Sequence, residues 1–272
     1  MTCQEMLPEC RVENRPVIKL DTGEPGWQLE RLNFIAESTG CPNMTAFPQQ
    51  ASWLKQTSFR INTYWQLKIL GITAYIIFFM MGYFWLLKHT IFPVTVIPAT
   101  GLDRLISFQP WCIVPYASLW LYISLVPWLF HSWRELAPYL SAVTVLSLAG
   151  FAIFLFWPTI IPKLNIDWAQ YPSVAFLKSV DASGNACPSL HVAFAVLTGI
   201  WLHRLLKQMR TPIILRVLNA CWCILIAYST LATKQHVALD VVAGAALGLC
   251  VTMLFLHILP SLGVLRGTVE SG

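Results

Sequence analysis

Between Cys41 and Val269 the only acidic residues are Asp103, Glu135, Asp167, Asp181 and Asp240, and Asp240 alone sits within an apolar stretch long enough to cross a bilayer. A lone carboxylate in hydrocarbon is costly and requires a partner. His236 precedes it by four residues, a spacing that on a helix places imidazole and carboxylate on one face, one turn apart. Such a pair can simply satisfy itself inside a helix bundle. Alternatively, Asp240 holds one ring nitrogen of His236 and raises the basicity of the other, as a nucleophile or base requires. Lys234 and Ser229, the latter near the end of the preceding apolar stretch, crowd further polar groups at the same boundary and favour chemistry.

A second constellation is Cys187–Pro188–Ser189–Leu190–His191, which follows the turn-forming run Asp181–Ala182–Ser183–Gly184–Asn185. Pro188 suits the first turn of a helix, and Ser189 and His191 then occupy the helix N-terminal end. Unpaired backbone N–H groups and a partial positive charge at that end suit a phosphate.

The elements that must position these residues are membrane spans. The chain has 272 residues, of which 56% are hydrophobic and 11% charged, and its mean hydropathy is +0.60. A soluble domain cannot hide that much apolar surface. Six spans are expected, near Ile69–Leu87, Pro110–Phe130, Leu136–Trp157, Pro188–Leu202, Pro212–Thr233 and Val237–Leu259. The expected class is an all-α, polytopic six-helix bundle over residues 66–262, with an N-terminal tail (1–65) and a short C-terminal tail (263–272), both cytosolic. The N-terminal tail has no signal-peptide core and is read as poorly packed. Its mixed charge does not form a basic arm for nucleic acid.

Eight cysteines raise the question of disulfides. Cys3, Cys10 and Cys41 lie in the tail, where thiols stay reduced, and Cys112, Cys221, Cys223 and Cys250 fall inside spans as packing residues. Cys221 and Cys223 are two apart, point to different helix faces and do not form a zinc pair.

Orientation follows from loop charge. Arg204, Lys207 and Arg210, with Arg216 just beyond, have no acidic residue among them, so the loop between the fourth and fifth spans is read as cytosolic. The Lys88–Gln109, Pro158–Cys187 and Thr233–Val237 loops then share the opposite, non-cytosolic face. His89, His131, His203 and His257 lie near span ends, where polar tips reach the interface.

Taken together, Pro188–Ser189–x–His191 and Ser229, with His236 seven residues on and Asp240 four further, resemble the second and third signatures of the type 2 phosphatidic acid phosphatase superfamily. The strings Cys-Pro-Ser-Leu-His-Val-Ala and Thr-Lys-Gln-His…Asp-Val-Val-Ala-Gly resemble the branch containing inositol phosphorylceramide synthases and their bacterial relatives. Two features depart from the pattern. Thr230 stands where an Arg follows the serine, and the first signature is absent. Instead, Leu102–Asp103–Arg104…Phe108–Gln109–Pro110…Pro115–Tyr116 is similar to the Asp-containing segment of the synthase-like branch.

The resemblance implies a metal-independent membrane hydrolase or transferase of lipid metabolism, without cofactor, acting on a lipid phosphate or phospholipid. His236 would form a phosphohistidine, Asp240 orient it, and His191 carry the proton. Ser189, Lys234, Ser229 and Arg104 would bind phosphate oxygens. Water as acceptor makes a phosphatase, an alcohol a head-group transferase. Two other classes are a non-enzymatic haem or metal-binding membrane protein and a proton-coupled transporter using Asp240. His191 and His236 at a span boundary, rather than facing each other within spans, disfavour the first. Six spans without a visible inverted repeat disfavour the second.

The loop-charge reading predicts that cysteine or tag labels in the Pro158–Cys187 loop react with impermeant reagents from outside sealed cells while labels near Lys207 do not. The opposite pattern would place the polar cluster in the cytosol.

Overall fold

The computed structural model describes residues 52–164, 166–180 and 184–258. The predicted tail up to Ala51, with Cys3, Cys10 and Cys41, lies outside the described residues, as do Asp181 and the 263–272 segment.

Residues 52–62, assigned to the tail from sequence, are in fact structured. Trp53–Asn62 forms α1, and its Arg60 guanidinium reaches Glu135 at 3.0 Å and the Leu129 carbonyl at 2.8 Å. The boundary missed this because no apolar run marks the helix; a long-range charge pair and carbonyl contact hold it.

The 24-residue α2, Trp65–Lys88, has no charged residue between Lys68 and Lys88 and at 1.5 Å per residue is about 36 Å long, enough for a bilayer core. The second predicted span is broken into a 3₁₀ turn at Pro110–Cys112, α4 at Ile113–Ala117 and α5 at Leu119–Trp128. Pro115 supplies no N–H, and the Ser118 hydroxyl at the joint donates to the Pro115 carbonyl at 2.7 Å. Between α2 and this region lie the two-residue strand β1 (Thr95–Val96) and the short α3 (Gly101–Leu105).

The third span, α6 (Trp133–Phe156), starts earlier than expected because Ser132 caps it, its hydroxyl accepting the Glu135 N–H at 3.4 Å. Beyond it come β2 (Thr159–Ile160), a 3₁₀ turn at Trp168–Gln170 and α7 (Pro172–Val180). Then follow α8 (Leu190–Gln208), α9 (Ile213–Ala232) and α10 (Ala238–Met253), the last continued by a π turn at Leu254–Ile258.

Among the described residues, five segments are long and apolar enough to cross a membrane: Trp65–Lys88, Pro110–Trp128, Trp133–Phe156, Ile213–Ala232 and Ala238–His257. The chain is therefore an integral membrane protein. Six were expected, and α8 is not among the five. It carries His191, His203, Arg204 and Lys207, and it runs past the predicted end at Leu202 because Leu205 and Met209 are buried against its neighbours. Its solvent is protein: it is buried along most of its length and packs against α5, α6, α9 and α10. Lipid-facing rows such as Phe78, Leu121, Leu148, Ile224 and Val242 leave large apolar side chains exposed on the other helices.

Polar ties fix the packing around α8. The Tyr122 hydroxyl donates to Asn219 Oδ1 at 2.7 Å, Asn219 Nδ2 donates to the Gly199 carbonyl at 2.9 Å, and Cys223 Sγ donates to the Ala195 carbonyl at 3.3 Å. In hydrocarbon such bonds have no water to replace them. The closest approach is between α8 and α10. A Cβ at Gly244 would overlap the Ser189 carbonyl, and one at Gly248 would overlap the Ala193 carbonyl, so both backbones meet only because these positions lack side chains.

At one end of the bundle the loops converge. β1 pairs in parallel with β2, Thr95 opposite Thr159. Buried Thr159 then fixes the chain ahead of α8, its carbonyl accepting the Ala186 N–H at 3.2 Å and its hydroxyl accepting the Cys187 N–H at 2.8 Å.

Gly248→Ala is expected to force α10 away from α8 and lower stability by about 1–3 kcal/mol, the usual penalty of overpacking. Gly71→Ala, where nothing lies within 4 Å of the added carbon, serves as the control. Thermal unfolding in detergent checks this; equal midpoints for the two variants would refute the close contact.

Candidate active site

The two predicted constellations come together at the convergent end. His236 is not on a helix. It lies in the turn before α10, whose N-cap is Val237, so the one-face helical spacing expected from sequence is replaced by another geometry. Asp240, at the third position of α10, points back: its Oδ2 accepts the Val237 N–H at 3.0 Å and lies 3.5 Å from His236 Nδ1. Asp240 is fully buried. The His236 side chain is about one-tenth exposed.

The Asp240 main chain serves the second constellation, because its carbonyl accepts the Ser189 N–H at 3.0 Å. Ser189 is the N-cap of α8, and its hydroxyl accepts the Val192 N–H at 3.4 Å. Pro188 therefore precedes the cap rather than occupying the first helical turn, since the serine side chain sets where the helix begins. His191, in that first turn, stacks on Tyr116 with ring centroids 4.1 Å apart, and its Nδ1 lies 3.4 Å from the Tyr116 hydroxyl. Trp120 meets it edge-on at 6.2 Å. The His191 and His236 ring centroids are 6.4 Å apart.

The turn carrying His236 is built by the end of α9. Lys234 N–H donates to the Leu231 carbonyl at 3.1 Å and Gln235 N–H to the Thr230 carbonyl at 3.1 Å, the two bonds of a Schellman motif. The Thr230 carbonyl also accepts the His236 N–H at 3.1 Å. Lys234 takes the left-handed position, φ 56°, which normally belongs to glycine and costs a lysine roughly 1–2 kcal/mol. Its ammonium explains the choice: Nζ donates to the Asp103 carbonyl at 2.8 Å and to the Ile106 carbonyl at 2.5 Å. Burial pulls the Lys234 ammonium below its ordinary pKa, opposed by the nearby Asp103 carboxylate.

Asp103 returns the grip. Its Oδ2 accepts the Thr100 N–H at 2.6 Å and the Thr100 hydroxyl at 2.8 Å, capping α3. Its Oδ1 accepts the Ala238 N–H at 2.8 Å and so caps α10 as well. Further along, Gln109 N–H donates to the Ala232 carbonyl at 2.9 Å, and its Nε2 donates to the Tyr228 hydroxyl at 2.6 Å. Segment 100–109 is thus a strap across the His236 turn.

The four residues read as phosphate ligands are distributed unevenly. Ser189 and Ser229 are fully buried, with the Ser229 hydroxyl donating to the Ile226 carbonyl at 2.6 Å. Lys234 is engaged with the strap, and Arg104 is exposed on α3. Sequence reasoning missed Tyr116 as the platform under His191, the strap contacts of Asp103 and Gln109, and Cys187 beside Asp240. Burial, with the neighbouring Asp240 charge, pushes the Cys187 thiol up to about 11. No local spacing pairs these residues; each meets its partner across the fold.

Asp103→Ala should free the Ala238 N–H and the α3 cap together, at about 1 kcal/mol each. Hydrogen–deuterium exchange is expected to rise in peptides spanning 100–109 and 234–240 and to stay unchanged in α6. Unaltered exchange in 234–240 would show that the strap does not hold the turn.

No curated protein sequence and no solved structure gives a significant match to this chain. Residues 139–263, which carry both histidines and Asp240, match the family model of the PAP2 superfamily.

Proposed function

We propose that the protein is a lipid phosphatase or lipid head-group phosphotransferase that works through a phosphohistidine on His236. The observation that carries this reading is the His191–His236–Asp240 arrangement: two imidazoles 6.4 Å apart, one of them backed by a buried carboxylate. With Asp240 facing Nδ1, the free electron pair of His236 is on Nε2. Nε2 attacks phosphorus, the bond from phosphorus to the leaving oxygen breaks, and His191 gives that oxygen its proton. In the second half His191 takes a proton from water or an alcohol, whose oxygen attacks phosphorus and breaks the P–N bond. Asp240, facing Nδ1, orients His236 and stabilises the imidazolium character that develops on it.

Charge on the phosphoryl oxygens is met by the N-terminal end of α8 and by the cations Arg104 and Lys234. Ser189 and Ser229 act in this scheme through the helix ends that their hydroxyls tie down. Tyr116 fixes the plane of His191 by stacking. The resemblance of the two motif strings to the inositol phosphorylceramide synthase branch supports the transferase version, and the basic loop of Arg204, Lys207 and Arg210 supports a reaction on the non-cytosolic side.

His236→Ala is expected to lower turnover by on the order of a thousandfold or more and to give no phosphoenzyme. His191→Ala should still form the phosphoenzyme slowly from a substrate with a good leaving group. Purified protein given labelled lipid phosphates and phosphatidylinositol, with and without ceramide or diacylglycerol, provides the assay. Free phosphate identifies a phosphatase and a new phospholipid a transferase, whereas phosphoenzyme in His236→Ala would remove His236 as the nucleophile.

A further inference from the structure

A narrow groove of about 140 Å³ runs between α2, α5 and α8 and is roofed by α7. Met80, Tyr83 and Phe84 line it from α2, Trp120 from α5, Leu177 from α7 and His191 from α8. Every other side chain along it is aromatic or aliphatic; among the described lining residues there is no lysine, arginine or carboxylate. Its walls are cross-braced by rings, Phe79 lying 5.3 Å from Phe194 and 5.9 Å from Trp120.

Two features identify the occupant. First, α2 is the most lipid-facing of the spans, with Phe78, Met81 and Trp85 more than half exposed beside the groove's own residues, so hydrocarbon chains are the medium at this wall. Second, His191 of the proposed phosphoryl-transfer site lines the groove. A molecule that fills an apolar slot and presents its polar end to His191 is an amphiphile with one chain in the slot and its phosphate at the slot's end.

We infer that the groove is the binding site for one hydrocarbon chain of the phosphorylated lipid, entered sideways from the membrane between α2 and α5. The inference rests on the phosphoryl-transfer reading and deepens it: chain length, and not head group alone, becomes a determinant of binding. Leu177 links the roof to the polar loops, since the next residue, Lys178, donates to the Lys234 carbonyl at 3.0 Å in the His236 turn.

The test uses full-length protein in detergent with hexadecyl phosphate and phenyl phosphate as paired substrates. Met80→Trp fills the slot and should raise KM for hexadecyl phosphate at least roughly tenfold, the loss of about two buried methylene contacts. Turnover of phenyl phosphate, which has no chain, should stay within about twofold, a change near the limit of significance on the same free-energy scale. Met80→Ala, which widens the slot, should move the preferred alkyl length upward. Equal effects on both substrates, or no change in chain-length preference in either variant, would overturn the groove assignment.

A photoactivatable hexadecyl phosphate provides an independent arm. Crosslinks to Tyr83 or Phe84 that are competed by excess hexadecyl phosphate support the groove; crosslinks equally competed by bulk phosphatidylcholine identify only annular lipid and refute it. If wild-type protein turns over neither ester, the proposed function fails and the crosslink alone decides the groove.

Discussion

The buried Asp240 carboxylate at the start of α10 is the constraint on which the rest of the site depends. Placing a charge in a membrane-embedded bundle demands compensation from every direction. The Val237 N–H and the α10 N-terminus compensate it from its own helix, and His236 faces it from the turn. The same residue's carbonyl accepts the Ser189 N–H and so docks the beginning of α8 against α10. One position thereby sets both the orientation of His236 and the location of His191. The absence of side chains at Gly244 and Gly248 lets the two helices come close enough for this bond to form.

The loop side of the site is held by a reciprocal exchange between two short segments. Lys234 gives its ammonium to carbonyls of segment 103–106, and Asp103 of that segment gives its carboxylate to the first N–H of α10. Each residue satisfies groups that a helix end leaves without partners. The left-handed backbone at Lys234 is tolerated because the side chain recovers through these bonds what glycine would have avoided in strain. A catalytic turn built this way is rigid without being deeply packed. That is the property that the proposed attack of His236 on phosphorus requires.

Burial is distributed to match the surrounding lipid. Polar contacts concentrate around α8, the helix surrounded by others, whereas α2 presents large apolar residues outward and contacts the bundle mainly through aromatic rings. The apolar groove lined in part by His191 lies between α2, α5 and α8.

The sequence by itself determined the membrane class, the approximate position of most spans and the identity of the chemical groups, because hydropathy and residue type are local properties. The His236–Asp240 and Ser189–His191 spacings were legible for the same reason. Only the tertiary structure decided that His236 stands in a turn rather than on a helix and that α8 is enclosed by protein. It also decided that Lys234 reaches Asp103, that Tyr116 lies under His191, and that Trp53–Asn62 packs through Arg60 onto Glu135. Each of these pairs residues tens to more than a hundred positions apart, and such a pairing is selected by the burial of charge and the fit of helix on helix. Periodicity along the chain carries no record of it.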